Sequence, residues 1–157
     1  MFTERPSTDF LGPLIANTPR NLRFRPLGEN DESRMRTVLF VDDSCDICQV
    51  IEVMCQSLPE VECVCVTSMS AVLERASQVL RTGLAILDVN LGPGEPSGVE
   101  IYRWLKGQNY HGKIVFLSGH ARTDPQVEEA ARISDVDFFQ KPLGFSQIED
   151  LILGKAA

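Results

Sequence analysis

A chain of 157 residues with 43% hydrophobic content can bury one sizeable core and is too short for two full domains beside a tail. Its formal net charge of -7 speaks against a nucleic-acid module, because phosphate-backbone binding needs clustered Lys and Arg. No run approaches the roughly 18 to 20 apolar residues of a membrane span, and the N-terminus lacks the charged start and apolar run of a signal peptide, so a cytoplasmic location without direct membrane contact is expected.

Residues 1–34 contain Pro6, Pro13, Pro19 and Pro26, scattered arginines and the polar run from Gly28 to Ser33, with no sustained period of 2 or 3.6. They read as an extended or disordered tail. A docking arm using Phe10, Leu11, Leu14 and Ile15, or the arginines at 20, 23 and 25, is the alternative, and Met35 is a second place where translation could start.

A folded domain is expected over 35–157, because from residue 36 short apolar runs alternate with helical periods, the mark of repeated βα units on a parallel sheet. Val38–Val41, Leu84–Leu87 and Ile114–Leu117 are unbroken apolar runs, as strands covered on both faces require. Val61–Val66 and Val136–Phe139 carry polar interruptions that an edge tolerates. Edges at the second and fifth strands select a flavodoxin-like, doubly wound α/β fold: five parallel strands in the order 2-1-3-4-5, flanked by five helices. Ile47, Val50, Ile51 and Met54 form the apolar stripe of the first helix, which Leu58-Pro59 closes. Val72, Leu73, Ala76 and Leu80 form that of the second, with Gly83 as its C-terminal cap. A third runs from about Val99 to Lys106, a fourth starts with Asp124 as cap and Pro125 first, and a fifth covers about Ser146 to Leu153.

The five cysteines are odd in number, and Cys63 and Cys65 would point to the same side of one strand, which fits reduced thiols better than a disulfide framework. Cys45 and Cys48 form a Cys-x-x-Cys at the start of the first helix, where a redox or zinc role competes with simple packing. Cys48 and Cys55 read as helix packing.

Ligands of such sheets bind outside the carboxyl ends of the strands. There the chain places Asp42 and Asp43 after strand one, Asp88 after strand three, Ser118 after strand four, and Lys141 before Pro142 after strand five. Three carboxylates at one mouth repel one another, and a divalent cation would relieve this. Mg²⁺ suits an all-oxygen set completed by phosphate oxygens, whereas zinc would want Cys or His. Asp88 ends the central strand before a Gly/Pro-rich loop and is the candidate nucleophile for an aspartyl-phosphate; Lys141 and Ser118 would stabilise the transferring group.

The runs Val-Leu-Phe-Val-Asp-Asp-Ser at 38–44, Ala-Ile-Leu-Asp at 85–88, Val-Phe-Leu-Ser-Gly at 115–119 and Phe-Phe-Gln-Lys-Pro at 138–142 resemble the receiver domain of two-component response regulators, in its single-domain, chemotaxis-receiver-like form. The resemblance spans roughly residues 36–153. It implies Asp88 as phospho-acceptor, Asp43 as a direct Mg²⁺ ligand, Asp42 as a ligand mainly through water, and the Asn90 backbone carbonyl as another. It implies Lys141 as the phosphate contact, and Ser118 and Phe138 as the hydroxyl and aromatic pair of the switch. The implied partners are a sensor histidine kinase or phosphotransfer protein and an unidentified downstream protein, with a homodimer or a phosphate sink also open. Output would leave through a face around Val127, Glu128, Phe139, Ile148 and Leu151, since no output domain is expected after the short last helix.

The loop from Asp88 to Gly98 is about two residues longer than the common family form. His120 and Asn90 lie where the family tunes phosphate loss. A phosphatase of the haloacid-dehalogenase type is disfavoured because it needs an acid where Asn90 stands, so no enzymatic turnover beyond self-phosphorylation and self-dephosphorylation is expected. A phosphorylation-independent interaction module is the rival reading. Tyr102 and Trp104 are either a partner patch or core.

Overall fold

The computed structural model describes residues 35–155; the expected tail at 1–34 lies outside the described residues. Five strands, β1 (Arg36–Val41), β2 (Val61–Val66), β3 (Leu84–Asp88), β4 (Lys113–Ser118) and β5 (Asp137–Gln140), form one sheet in the order β2-β1-β3-β4-β5. Every neighbouring pair is parallel. The doubly wound order read from the polar interruptions of the outer strands is the observed one.

Period-two alternation divides the strand side chains between two cores. Leu39, Val41, Ala85, Leu87, Ile114 and Phe116 face one side; Val38, Phe40, Leu84, Ile86, Val115 and Leu117 face the other. Helices α1 (Cys45–Ser57) and α6 (Phe145–Leu153) cover the second set through Cys48, Ile51, Cys55, Ile148, Leu151 and Ile152. The first set is covered by α2 (Met69–Glu74), α3 (Ala76–Val79), α4 (Gly98–Gly107) and α5 (Pro125–Ala131).

Among the described residues six helices replace the expected five, because the second expected helix breaks at Arg75, whose backbone leaves helical geometry at φ -105°, ψ 22°. Val72 and Val79 are its fully buried residues, while Leu73 is 48% exposed. Gly83 is not its cap: α3 ends in a helical turn at Leu80, and the Val79 carbonyl accepts from both the amide of Thr82 at 3.1 Å and its hydroxyl at 2.7 Å. The α1 stripe is likewise rotated from expectation. Ile47 and Val50 are exposed, and the buried face is Cys48, Ile51 and Cys55. Of the Cys-x-x-Cys, Cys45 is exposed and Cys48 is buried, the Cys48 thiol donating to the carbonyls of Asp42 and Val66. Tyr102 and Trp104 both pack partly buried on the core, Tyr102 against Phe116 with ring centroids 5.8 Å apart.

Helix starts follow the capping chemistry of the sequence. The Ser44 hydroxyl accepts from the Ile47 amide, and Asp124 accepts from the Gln126 amide at 2.9 Å with Pro125 in the first turn. At α4, the Ser97 amide donates to Glu100 at 2.7 Å. That helix starts hard against the end of β3. The Gly98 amide donates to the Val89 carbonyl at 2.9 Å, and a Cβ on Gly98 would lie 2.2 Å from the Asp88 carbonyl oxygen. Only glycine fits, because the obstacle is backbone. Gly98→Ala is therefore expected to destabilise the domain by about 1–3 kcal/mol, as overpacking typically does, and to move the main chain of Asp88. Urea unfolding checks the first effect, and the amide resonances of Asp88 and Val89 check the second.

Candidate functional site

Asp42 lies two residues beyond Phe40, Asp88 two beyond Ile86, and Lys141 two beyond Phe139, and all three apolar residues face the α1/α6 side. Continued alternation delivers two carboxylates and an ammonium to one face at the carboxyl edge of the sheet. Ser118 stands two beyond Phe116 and so belongs to the opposite face, reaching the same edge as the last residue of β4. Phe138 pairs in register with Phe116, half-buried on that same opposite face.

The side chains converge. Lys141 Nζ donates to Asp42 Oδ2 at 2.5 Å and to Asp88 Oδ2 at 2.9 Å. Its methylenes pass over Gly119, where a Cβ would sit 3.8 Å from Lys141 Cδ. Asp42 and Asp88 are buried, at 1% and 5% exposure, while Asp43 is exposed. One oxygen from each of Asp42, Asp43 and Asp88 lies within 4.8 Å of the others. An all-carboxylate set this close fits a hard divalent cation such as Mg²⁺. The mouth opens as a cavity of about 820 Å³ lined by these residues with Asn90, Asp124 and Lys141.

Backbone amides hold the carboxylates in place. Ser44 donates its amide to Asp42 Oδ1 at 3.0 Å and Asn90 to Asp88 Oδ1 at 3.2 Å. Ser118 is fully buried; its hydroxyl accepts from the His120 amide at 3.1 Å, and its carbonyl accepts from the Lys141 amide at 2.8 Å. The His120 side chain is exposed, and the Lys141–Pro142 peptide is cis.

Two members escaped sequence reasoning. Asp124 was legible only as a helix cap, yet its second oxygen accepts from the Asn90 side-chain amide at 3.5 Å, tying the loop after β4 to the loop after β3. Its position after a strand's carboxyl end was the available signal. Gly98 carried no signal beyond its place in a Gly/Pro-rich loop. The expected output face differs too: Val127, Ile148 and Leu151 are buried, Phe139 is partly buried and Glu128 is exposed, so most of that set supports the surface from beneath.

Burial pushes the Asp88 carboxyl above its usual range, and Lys141 offsets this only in part. For Lys141, burial alone would lower the ammonium, but its hydrogen bonds to Asp42 and Asp88 outweigh that and raise it. Because the folded-state pKa of Asp88 is raised, ionising it costs stability that is intact below the unfolded carboxylate range and lost as pH rises through the folded value. In metal-free buffer, Asp88→Asn is therefore expected to melt above the parent at pH 7, with the gap closing as pH falls below about 4. Thermal melts across that range check the sign, and an Asp88→Asn melt below the parent at pH 7 would contradict it.

Comparison with known proteins agrees with this geometry. Residues 38–153 match the family described as the response regulator receiver domain. No curated protein sequence is a match for the chain. Among solved structures, a signal receiver domain of a putative Luxo repressor protein from Vibrio parahaemolyticus superposes with a TM-score of 0.61 at 17% identity, covering 76% of this chain and 88% of that one. A CheY-like receiver domain from Methylobacillus flagellatus gives 0.59 at 19% identity, covering 78% and 99%. A CheY-like receiver domain from Methanospirillum hungatei gives 0.63 at 18%, covering 77% and 93%. At these identities the structures speak for the fold, and the family match over most of the chain carries the rest: the chain belongs to the response regulator receiver domain family.

Proposed function

We propose that this domain accepts a phosphoryl group on Asp88 from a phosphohistidine donor, a sensor histidine kinase or phosphotransfer protein, and thereby alters a protein-interaction surface. The observation that carries the reading is the Lys141 ammonium held between Asp42 and Asp88 beside three carboxylates whose oxygens lie within 4.8 Å of one another. A Mg²⁺ held by Asp42, Asp43, Asp88 and the Asn90 backbone carbonyl would neutralise charge on the carboxylates and on the transferring group.

The other steps fall to residues of this chain. Asp88 Oδ attacks phosphorus, the P–N bond to the donor imidazole breaks, and the imidazole leaves with a proton. Lys141, within 2.9 Å of the nucleophile's carboxylate, follows the new negative charge from the carboxylate to the phosphoryl oxygens. Ser118 turns its hydroxyl from the His120 amide toward the phosphoryl group. The space it leaves on the α2–α5 face is taken by Phe138, a shift between two packings of one fold. Turnover is confined to acquisition and loss of this phosphoryl group.

Intact mass after incubation with Mg²⁺ and acetyl phosphate is expected to show one added phosphoryl group, absent without Mg²⁺ and absent in Asp88→Asn. An unmodified parent whose melting temperature also ignores Mg²⁺ would favour a phosphorylation-independent module. Lys141→Ala is expected to slow the mass gain by about 10²-fold or more, the usual scale for removing one charge-stabilising donor, and single-turnover labelling measures it.

A further inference from the structure

Cys63 and Cys65 are alternate residues of the edge strand β2, in register with Val38 and Phe40 of β1, and both turn toward the α1/α6 side. Their sulfurs are 3.2 Å apart, one thiol donating to the other. Cys63 is partly exposed and lines a cavity of about 790 Å³ at the edge of the sheet, whereas Cys65 is sheltered at 9% exposure. The pair thus has one open member and one covered one. The remaining thiols are placed differently. Cys45 is exposed at the start of α1, Cys48 donates to the carbonyls of Asp42 and Val66 at 3.5 and 3.8 Å, and Cys55 is buried on the helix at 2% exposure.

Small apolar filling accounts for Cys48 and Cys55, but it does not call for two sulfurs in mutual contact on an edge strand. Strand geometry decides what such a pair can do. Alternate residues stand about 6.6 Å apart with parallel Cα–Cβ bonds, whereas a disulfide holds its Cβ atoms at about 3.5–4.5 Å, so the two thiols do not close on each other within a regular strand. An ion set between the sulfurs makes no such demand. With metal–sulfur bonds of about 2.3 Å a bridged pair spans up to about 4.6 Å, which the side chains reach by rotating apart while the backbone stays in place. In the S–H···S contact a lone pair of one sulfur already points at the other, and removal of the proton leaves a lone pair from each on the same line.

The donor set selects the ion. Thiolates are soft ligands that favour Cu(I) or zinc over magnesium and calcium. Structural zinc wants four ligands, and among the described residues no third His, Cys, Asp or Glu brings a ligand atom within 4.8 Å of both sulfurs. Closed-shell Cu(I) is satisfied by two thiolates in line.

We propose that Cys63 and Cys65 form a two-coordinate site for Cu(I), loaded from the open side of the edge strand. Each thiol gives its proton to solvent, two Cu–S bonds form and the ion keeps its oxidation state, so one Cu(I) and two thiols become one anionic bis-thiolate and two protons. The bridge joins two residues of one strand and is independent of the chemistry at Asp88.

The test titrates the reduced full chain, free of oxygen, with the acetonitrile complex of Cu(I) in the presence of bicinchoninate, a coloured Cu(I) chelator. The chain is expected to withhold one equivalent of copper from the chelator, and X-ray absorption of that copper is expected to show two sulfur neighbours and no nitrogen or oxygen. Cys63→Ser and Cys65→Ser should each lower the withheld copper several-fold, while Cys45→Ser, which removes the exposed thiol, leaves it unchanged. No withheld copper, copper retained in Cys63→Ser, copper lost in Cys45→Ser, or a shell of three sulfurs or of nitrogen and oxygen would each overturn the proposal. Zinc offered in place of copper, against a zinc-binding dye, should not be withheld; zinc held by the parent and lost in the same two variants would overturn the choice of ion. The absorption spectrum of the parent together with Cys63→Ser, at a partly exposed position, decides the matter even if Cys65→Ser fails to fold.

Discussion

One ammonium group sets the terms for the carboxyl edge of this sheet. Asp42 and Asp88 are both nearly inaccessible to water, and two buried carboxylates facing each other would repel strongly enough to drive one to protonate. Lys141 opposes that by bonding to both. To do so it must start beyond β5, at the far edge, and cross the end of β4 over Gly119 to reach β3 and β1. The strand order, the small residue under the lysine stem and the amides that fix the other carboxylate oxygens all serve this three-body contact. The contact also leaves Asp88 on the lining of the cavity, with a carboxylate oxygen within 4.8 Å of those of Asp42 and Asp43.

Much of this was legible in the sequence because it depends on strand ends. Apolar runs such as Leu84–Leu87 announce a buried parallel strand, and the rule that ligands bind at carboxyl ends then singles out Asp42, Asp88, Ser118 and Lys141 without knowledge of any helix. Helix faces were less legible. On α1, hydropathy ranks Ile47 and Val50 above Cys48 and Cys55, yet the helix turns its cysteines inward against the cysteines of β2 and leaves the two aliphatics exposed. The reading of Cys48, Ile51 and Cys55 as packing residues holds, whereas the exposure of Ile47 and Val50 follows from where the partner strand lies and is not in the helix's own hydropathy. The break at Arg75 carries neither Gly nor Pro to announce it, and the turn after Val79 is finished by the Thr82 hydroxyl rather than by Gly83.

The loops around the mouth obey a different logic from the strands. Asp124 spends one oxygen on the amides that open α5 and the other on Asn90, so a helix cap is also a clasp between two loops. Gly98 brings the start of α4 onto the carbonyl of Asp88 itself. Both α4 and α5 are thereby anchored within a residue or two of Asp88, through backbone and capping contacts that leave no hydrophobic pattern in the sequence.

The alternation that gathers Asp42, Asp88 and Lys141 on the α1/α6 side makes the sheet a partition. Charge is handled on one side of it, while Phe138 and the packing of α4 and α5 lie on the other. Ser118, in register with Gln140 of β5, has its alternation on that far side while sharing the edge with the carboxylates, and it is the fully buried member of the two. The far layer meets the carboxylate side at few places: the buried hydroxyl of Ser118, the start of α4 against the Asp88 carbonyl, and the Asp124–Asn90 clasp. Away from the ends of α4 and α5, where Gly98 and Asp124 touch the backbone of Asp88 and the side chain of Asn90, the helices of the far layer can be reshaped without touching the ionic cluster.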